Sequence, residues 1–335
     1  MSQSSFTETA PHEAGFAEVY AREILPIYRN SRAEAEALQK RAKKHAKIVA
    51  AVGLFITISL LARPPFGADL PRWVLPLFPA FIFTVLTLII AISGTGAFSQ
   101  RIKEQVMPIL ARFLEIKAYN STPPNGFVDI AALEEVKIFS AYDRLSIEDG
   151  LEGIWRDVPY RVAELNLRKR RSSSEEDRHK YDTVFRGLVM EITSPVALPD
   201  TVIMGKFGNI LDDLRETFVL PDRYTPVAFE AQDGGEQDGL PFAVYSVNPN
   251  AARAQFGPVF LEKLQAIAQD HAGKDLRLAA AFGGTTFRLT LHRRAAFLEI
   301  NALSDTEEAF AESCRTALAD MARPARIIDL LIGET

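Results

Sequence analysis

The chain has 335 residues, 47% apolar and 24% charged, with a net charge of −5. So mild a negative balance excludes nucleic acid as an expected partner. A single cysteine, Cys314, excludes an internal disulfide and any metal site built on paired thiolates, and it fits a reducing compartment.

Residues 1–12, MSQSSFTETAPH, read as a disordered tail with no secretory signal. From 13 to 47 the spacing of Phe16, Tyr20, Ile24 and Ile27 predicts an amphipathic helix that Pro26 kinks or divides. Its end is basic, with Lys40, Arg41, Lys43, Lys44 and Lys47. Ile48–Ala62 then holds fifteen residues without a charge, a helix of ~22 Å against a hydrocarbon core of ~30 Å. Lys47 and Arg63 extend that reach by snorkelling. Pro64-Pro65 breaks the run, and a second one, Trp73 to Phe98, is 26 residues long. Cations crowd the outer ends of both runs, while the connecting loop has Arg63 and Arg72 only. The positive-inside rule then gives a transmembrane helical hairpin over 48–98, with spans 48–62 and 74–98. Small residues at matching depths (Ala50, Ala51 and Gly53 against Ser93, Gly94 and Gly96) would let the two backbones approach closely. The expected setting is the cell inner membrane, multi-pass, with both termini cytoplasmic and the lipid bilayer as a partner. The alternative has 48–62 re-entrant or interfacial and only the second run spanning.

Residues 99–119 form a further amphipathic helix, with Ile102, Val106, Leu110 and Phe113 in phase, which should pair antiparallel with 13–47 or pack on the domain. Asn120–Gly126, NSTPPNG, is a boundary rich in turn formers. Beyond it the period becomes two, and 127–335 reads as a cytoplasmic α+β domain, mostly antiparallel and β-rich, with two or three helices. Val158, Tyr160 and Val162 alternate, and Leu165 and Leu167 resume out of phase, predicting a β-bulge there. Val184–Thr193 is apolar on both faces, as a central strand would be. Shorter strands follow near 200–206, 225–230 and 242–247, then a helix over 251–271 with Phe256, Val259, Phe260, Leu264 and Ile267 inward. Leu276–Phe282 and Phe287–Leu291 alternate around Gly283-Gly284, the clearest hairpin in the chain, with Arg288 on its solvent side. Ser304 and Glu307 stand at capping-box spacing before a helix burying Phe310, Cys314, Leu318 and Met321. Pro324 separates a last short helix.

Chemistry-bearing motifs are scarce. The five histidines (His12, His45, His179, His271 and His292) are scattered, and no zinc-binding, nucleotide-binding or nucleophile-elbow pattern occurs. Gly205–Gly208 reads as a turn and Asp233–Gly239 as a solvated loop lacking the ligand period of a calcium site. His292 with Arg293 and Arg294 reads as a strand-end surface cluster. No catalytic, cofactor or metal residues are assigned. Two basic runs are the candidates for contact with anionic lipid or a partner: Lys40, Arg41, Lys43, Lys44 and Lys47 beside the membrane, and Arg168, Lys169, Arg170 and Arg171 in the loop RKRRSSSEEDRHK. Topology alone accounts for the first, and a solvated loop for the second.

Asp143–Glu164 (DRLSIEDGLEGIWRDVPYRVAE), Val184–Val189 (VFRGLV), Phe242–Leu264 (FAVYSVNPNAARAQFGPVFLEKL) and the ending ARIIDLLIGET resemble a bacterial two-span membrane protein family catalogued as domain of unknown function 3137. Asn248 and Asn250 depart from the acidic residues such a turn would carry. The resemblance implies topology and fold, and no activity or cofactor. The leading functional reading is a membrane-anchored cytoplasmic binding or scaffold domain, not an enzyme, with a protein partner at the inner membrane. Its alternatives are an anionic-lipid or envelope-linked sensor, and an enzyme with a dispersed, loop-borne site.

Overall fold

The computed structural model describes residues 6–62, 96–171, 181–205, 220–229, 242–272, 278–293 and 296–332. The chain divides into two units, Met1–Ile109 with Glu299–Thr316, and Leu110–Leu298 with Ala317–Thr335. The class is α+β, with a mostly antiparallel sheet, as the sequence predicts.

In the first unit, α1 (Phe16–Val19) runs into a π turn over Tyr20–Ile24 and then into α2 (Leu25–Ala62). Pro26 has no N–H and crowds the carbonyl four residues back, so it is accommodated just after the wider turn. Apolar residues four apart drift around an α-helix of about 3.6 residues per turn. The π turn takes up that drift, and Phe16, Tyr20 and Ile24 are all fully buried. Tyr28, not Ile27, carries this face into α2. Its ring stacks on Phe310 at 4.6 Å, and its hydroxyl donates to the Ser304 carbonyl at 3.0 Å. Arg29 makes two bonds to the Glu307 carboxylate. Glu307 is thereby committed to Arg29, and Thr306, whose Oγ1 accepts the Ala309 N–H at 3.2 Å, caps α7 (Glu307–Ile332) in place of the expected Ser304. The third helix, α3, covers 96–113, and Arg101 pairs with Glu34 of α2 at 2.6 Å.

Among the described residues no helix is long and apolar enough to cross a membrane. The first expected span, 48–62, is the continuous end of α2. The second, 74–98, falls almost wholly outside the described residues, and 96–98 open α3. The transmembrane hairpin thus has no support among the described residues.

In the second unit α3 stops earlier than expected. Glu115 adopts a φ of 56°, Ile116 N–H returns to the Ala111 carbonyl at 2.8 Å, and Ala118–Asn120 forms strand β1 instead of a final helical turn. A short helix absent from the sequence reading, α4 (Ile130–Glu135), follows, capped by Asp129 accepting from Ala132 N–H. Strands β2 (Arg144–Trp155), β3 (Val158–Arg170), β4 (Tyr181–Gly205), β5 (Thr225–Pro226), β6 (Phe242–Ser246) and β7 (Leu278–His292) complete one antiparallel sheet in the order β1-β2-β3-β4-β6-β5, with β7 also on β4.

β4 is central, as expected, pairing with β3, β6 and β7. Eleven residues of straight strand cover ~36 Å. Yet Thr290 Oγ1 donates to the Ala279 carbonyl at 3.1 Å, and the Phe282 and Phe287 rings stack at 4.5 Å. β7 therefore folds back as the predicted hairpin, and Gly284, at φ 58°, supplies the turn conformation. One arm pairs with 187–193 of β4 and the other with 201–204, both antiparallel, so β4 must itself reverse across 194–200, where Pro195 and Pro199 donate no ladder bonds. The hairpin is seated between the two arms of β4.

Both faces of this sheet are covered. Ala163, Leu165, Leu167, Val189 and Val202 pack in one core cluster with Ile130 and Leu133 of α4. On the other face Val162, Leu188, Met190 and Leu291 line a small cavity with Phe297 and with Pro324 and Ile327 of α7. The phase change along β3 reflects this change of covering layer. The extra residue lies on β2, between Glu148 and Leu151, where Asp149 has φ 51°, while β3 keeps register with β4 from Tyr160 to Leu167. Two helical expectations also change. The 251–271 helix is split by Pro258 into α5 (Pro249–Gln255) and α6 (Pro258–Ala272). The restart shifts its phase, so Val259 is exposed while Leu261, Leu264 and Ile267 are buried. Conversely, α7 passes through Pro324 unbroken, because Ile327 and Ile328 beyond it are buried and hold the helix on course.

Candidate functional site

The last turns of α2 combine two patterns. Lys40, Arg41, Lys43, Lys44 and Lys47 are all exposed, and so are the apolar residues that follow: Ile48 is 50% exposed, Val52 44%, Phe55 71% and Ile58 55%. Those four recur at helical spacing, so the apolar run continues the helix without a covering layer of this unit at the described positions. Helix propensity and the absence of Gly or Pro between Ile27 and Ala51 carry α2 through the basic stretch.

The second basic run is placed differently from its expectation. Arg168, Lys169 and Arg170 are not loop residues: they end β3, opposite Thr183, Asp182 and Tyr181 of β4. Arg171 follows and is bonded through Nε and Nη2 to the Asp182 carboxylate, the shorter contact 2.6 Å. Residues 172–180 lie outside the described residues, as do Arg294, Lys206–Gly208 and Asp233–Gly239. The strand-end register also brings in residues that no linear pattern marked, namely Arg144 of β2, whose guanidinium sits 4.0 Å from the Tyr181 ring centroid, and Tyr181 itself. The hydrogen bond from Arg170 lowers the Tyr181 phenol's pKa, with the Arg144 and Arg170 charges acting in the same direction.

No protein-family model matches the chain, and no curated protein matches it. Among solved structures it is similar to the mycobacterial trehalose monomycolate transport factor A, TtfA. The identity is 12%, the match covers 68% of this chain and 95% of that chain, and the TM-score is 0.32.

Two buried carboxylates of the second unit, Asp320 and Glu164, form ion pairs near the small cavity. Asp320 is 2% exposed and accepts from Arg293 at 2.8 Å and from Arg323 at 3.1 Å. Arg293 is thus a half-buried anchor of α7, not the surface residue expected beside His292, which meets Phe185 edge-on at 6.0 Å. Glu164 accepts the Phe297 N–H at 2.8 Å and lies 3.5 Å from Arg186. Burial raises its pKa, against the pull of that N–H and of Arg186. Each of these carboxylates is held by partners, and the cavity they adjoin is lined mostly by apolar side chains. Cys314 is fully buried in the first unit, and burial pushes its thiol pKa up, away from nucleophilic use. Among the described residues no group of three or more His, Cys, Asp or Glu side chains is placed to hold a metal ion.

Proposed function

We propose that this protein is a membrane-anchored binding or scaffold protein, held through the apolar end of α2 and the second apolar run, with the sheet unit as its binding platform. The observation that carries it is the exposed series Ile48, Val52, Phe55 and Ile58 directly after five exposed cations on one helix. Apolar side chains of this size each gain roughly 1.5–3 kcal/mol on full burial. Each Lys or Arg near an anionic bilayer adds about 1 kcal/mol. A lipid interface satisfies both patterns at once: cations at the headgroups and apolar residues below them. The two-span topology, the cytoplasmic placement of the termini, the protein partner and the kinship with the two-span family belong to the same proposal.

The test uses the full chain. It should stay with membranes through an alkaline carbonate wash, and phosphatase fused after Phe66 should be active while fusion at Thr335 is inactive. Release by the wash would overturn the anchor, and an active C-terminal fusion would overturn the two-span topology.

A further inference from the structure

The strand ends of the second unit gather three arginines on one face. Arg144 lies directly opposite Arg168 in the β2–β3 register, and Arg170 lies opposite Tyr181 across β3–β4. Alternation puts Arg168 and Arg170 on the same side of β3, and cross-strand pairing adds Arg144. Tyr181 is the meeting point of Arg144 and Arg170. The Arg144 guanidinium is 4.0 Å and that of Arg170 5.9 Å from its ring centroid, and Arg170 Nη2 donates to its hydroxyl at 3.4 Å. Arg168 Nε donates to a neutral acceptor, Asn166 Oδ1, at 3.3 Å.

Like charges directly opposite on neighbouring strands destabilise a sheet, so such a cluster needs a counter-charge. Among the described residues the nearby carboxylates have other partners, although the Asp143 charge also acts on Arg170. Asp143 accepts the backbone N–H of Arg170 at 2.6 Å, and Asp182 is bonded to Arg171. Among the described residues no carboxylate forms an ion pair with Arg144, Arg168 or Arg170. All three are exposed.

We propose that the Arg144 and Arg170 guanidinium groups, both set against Tyr181, form with Arg168 on the same face a binding site for one phosphate group. Arginine presents planar forks that bond two oxygens at once, and a phosphate offers more acceptor oxygens than a carboxylate to several neighbouring forks. The ring of Tyr181 holds the Arg144 fork by a cation–π contact, so it is oriented before the anion arrives. The phosphate is that of a soluble phosphate ester or of a phospholipid headgroup; the recognising chemistry is the same. This inference does not rest on the membrane anchor.

Full-length protein in neutral detergent would be titrated calorimetrically, at constant ionic strength, with inorganic pyrophosphate and with short-chain phosphatidylglycerol below its micellar concentration. Saturable binding is expected, weakened about tenfold or more in Arg144→Gln and Arg170→Gln. Arg144→Lys, which keeps the charge and loses the fork, should weaken binding similarly. Arg171→Gln, whose partner is Asp182, should leave it within about twofold. Binding of pyrophosphate alone supports a soluble ester, and binding of the lipid alone supports a headgroup. Three outcomes overturn the site: neither probe binds; Arg144→Lys binds as tightly as the parent; or a polyglutamate peptide binds and neither phosphate probe does. Unchanged circular dichroism and melting of the variants distinguish a lost site from a lost fold.

Discussion

Phe287 and Arg288 are neighbours on one arm of the β7 hairpin and point to opposite faces, so replacing each with alanine reads out both layers of the sheet unit. The Phe287 ring is buried, 4.5 Å from Phe282 and nearly parallel to it, and Phe282 lies 4.2 Å from Phe256 at the end of α5. Truncation removes one end of that aromatic chain, leaves a face of Phe282 uncovered and should cost roughly 3–5 kcal/mol, a large share of a typical domain's 5–15 kcal/mol or so. Arg288 is only 14% exposed, with Nε 3.1 Å from Glu191, itself 15% exposed, and Nη2 2.9 Å from Asp129, the cap of α4. Its loss leaves the Glu191 carboxylate with the Asp129 N–H as a partner at 2.8 Å. The cost should therefore be intermediate, about 1–3 kcal/mol. Denaturant unfolding of the full chain in mild detergent, followed by near-ultraviolet circular dichroism, gives both numbers, with hydrogen exchange at 286–292 as a local check. An Arg288→Ala effect below about 0.5 kcal/mol, the size of an ordinary surface change, would refute the placement of α4 over that face. A Phe287→Ala effect of similar size would refute the hairpin core.

Asp320→Ala removes a buried carboxylate that Arg293 and Arg323 share and should cost about 3–5 kcal/mol; melting curves resembling the parent's would show that the pairs contribute nothing. Glu164 has a carboxyl pKa raised chiefly by burial, so its contribution to stability is present below the unfolded value of about 4.3 and is lost as pH rises through the folded one. Glu164→Gln should match the parent near pH 4 and exceed it in stability at pH 7, and a variant less stable at pH 7 would contradict this. A Cβ on Gly187 would sit 2.0 Å from the Leu291 carbonyl oxygen. Gly187→Ala should thus force β4 and β7 apart at a cost of about 1–3 kcal/mol or more, measurable as faster amide exchange at Leu291 and His292; unchanged exchange there would rule out the close approach.

The sequence alone determined the features that depend on local periodicity and turn chemistry. The hairpin over 278–291 follows from strict alternation around a glycine pair, and the buried face of α7 at Phe310, Cys314, Leu318 and Met321 follows from helical spacing. The central place of Val184–Thr193 was legible because a strand covered on both faces has no polar side. Of the candidate sites, the basic runs themselves were legible as runs, but Arg144 and Tyr181 lie 24 and 11 residues from Arg168 and Arg170 and meet them only through strand register. Tertiary structure decided what depends on which layer covers each face. β3 changes its buried side because α4 and α7 pack against opposite faces, and Arg288 is removed from solvent because Asp129 brings α4 over it. The two prolines make the same point: Pro258 ends a helix where a new one starts with a different buried face, whereas Pro324 does not, because Ile327 and Ile328 are buried beyond it. A residue's period states that it is buried, but the partner that buries it is supplied by chain far away in sequence, and on that partner depend the bulge, the cap and the charge pairs.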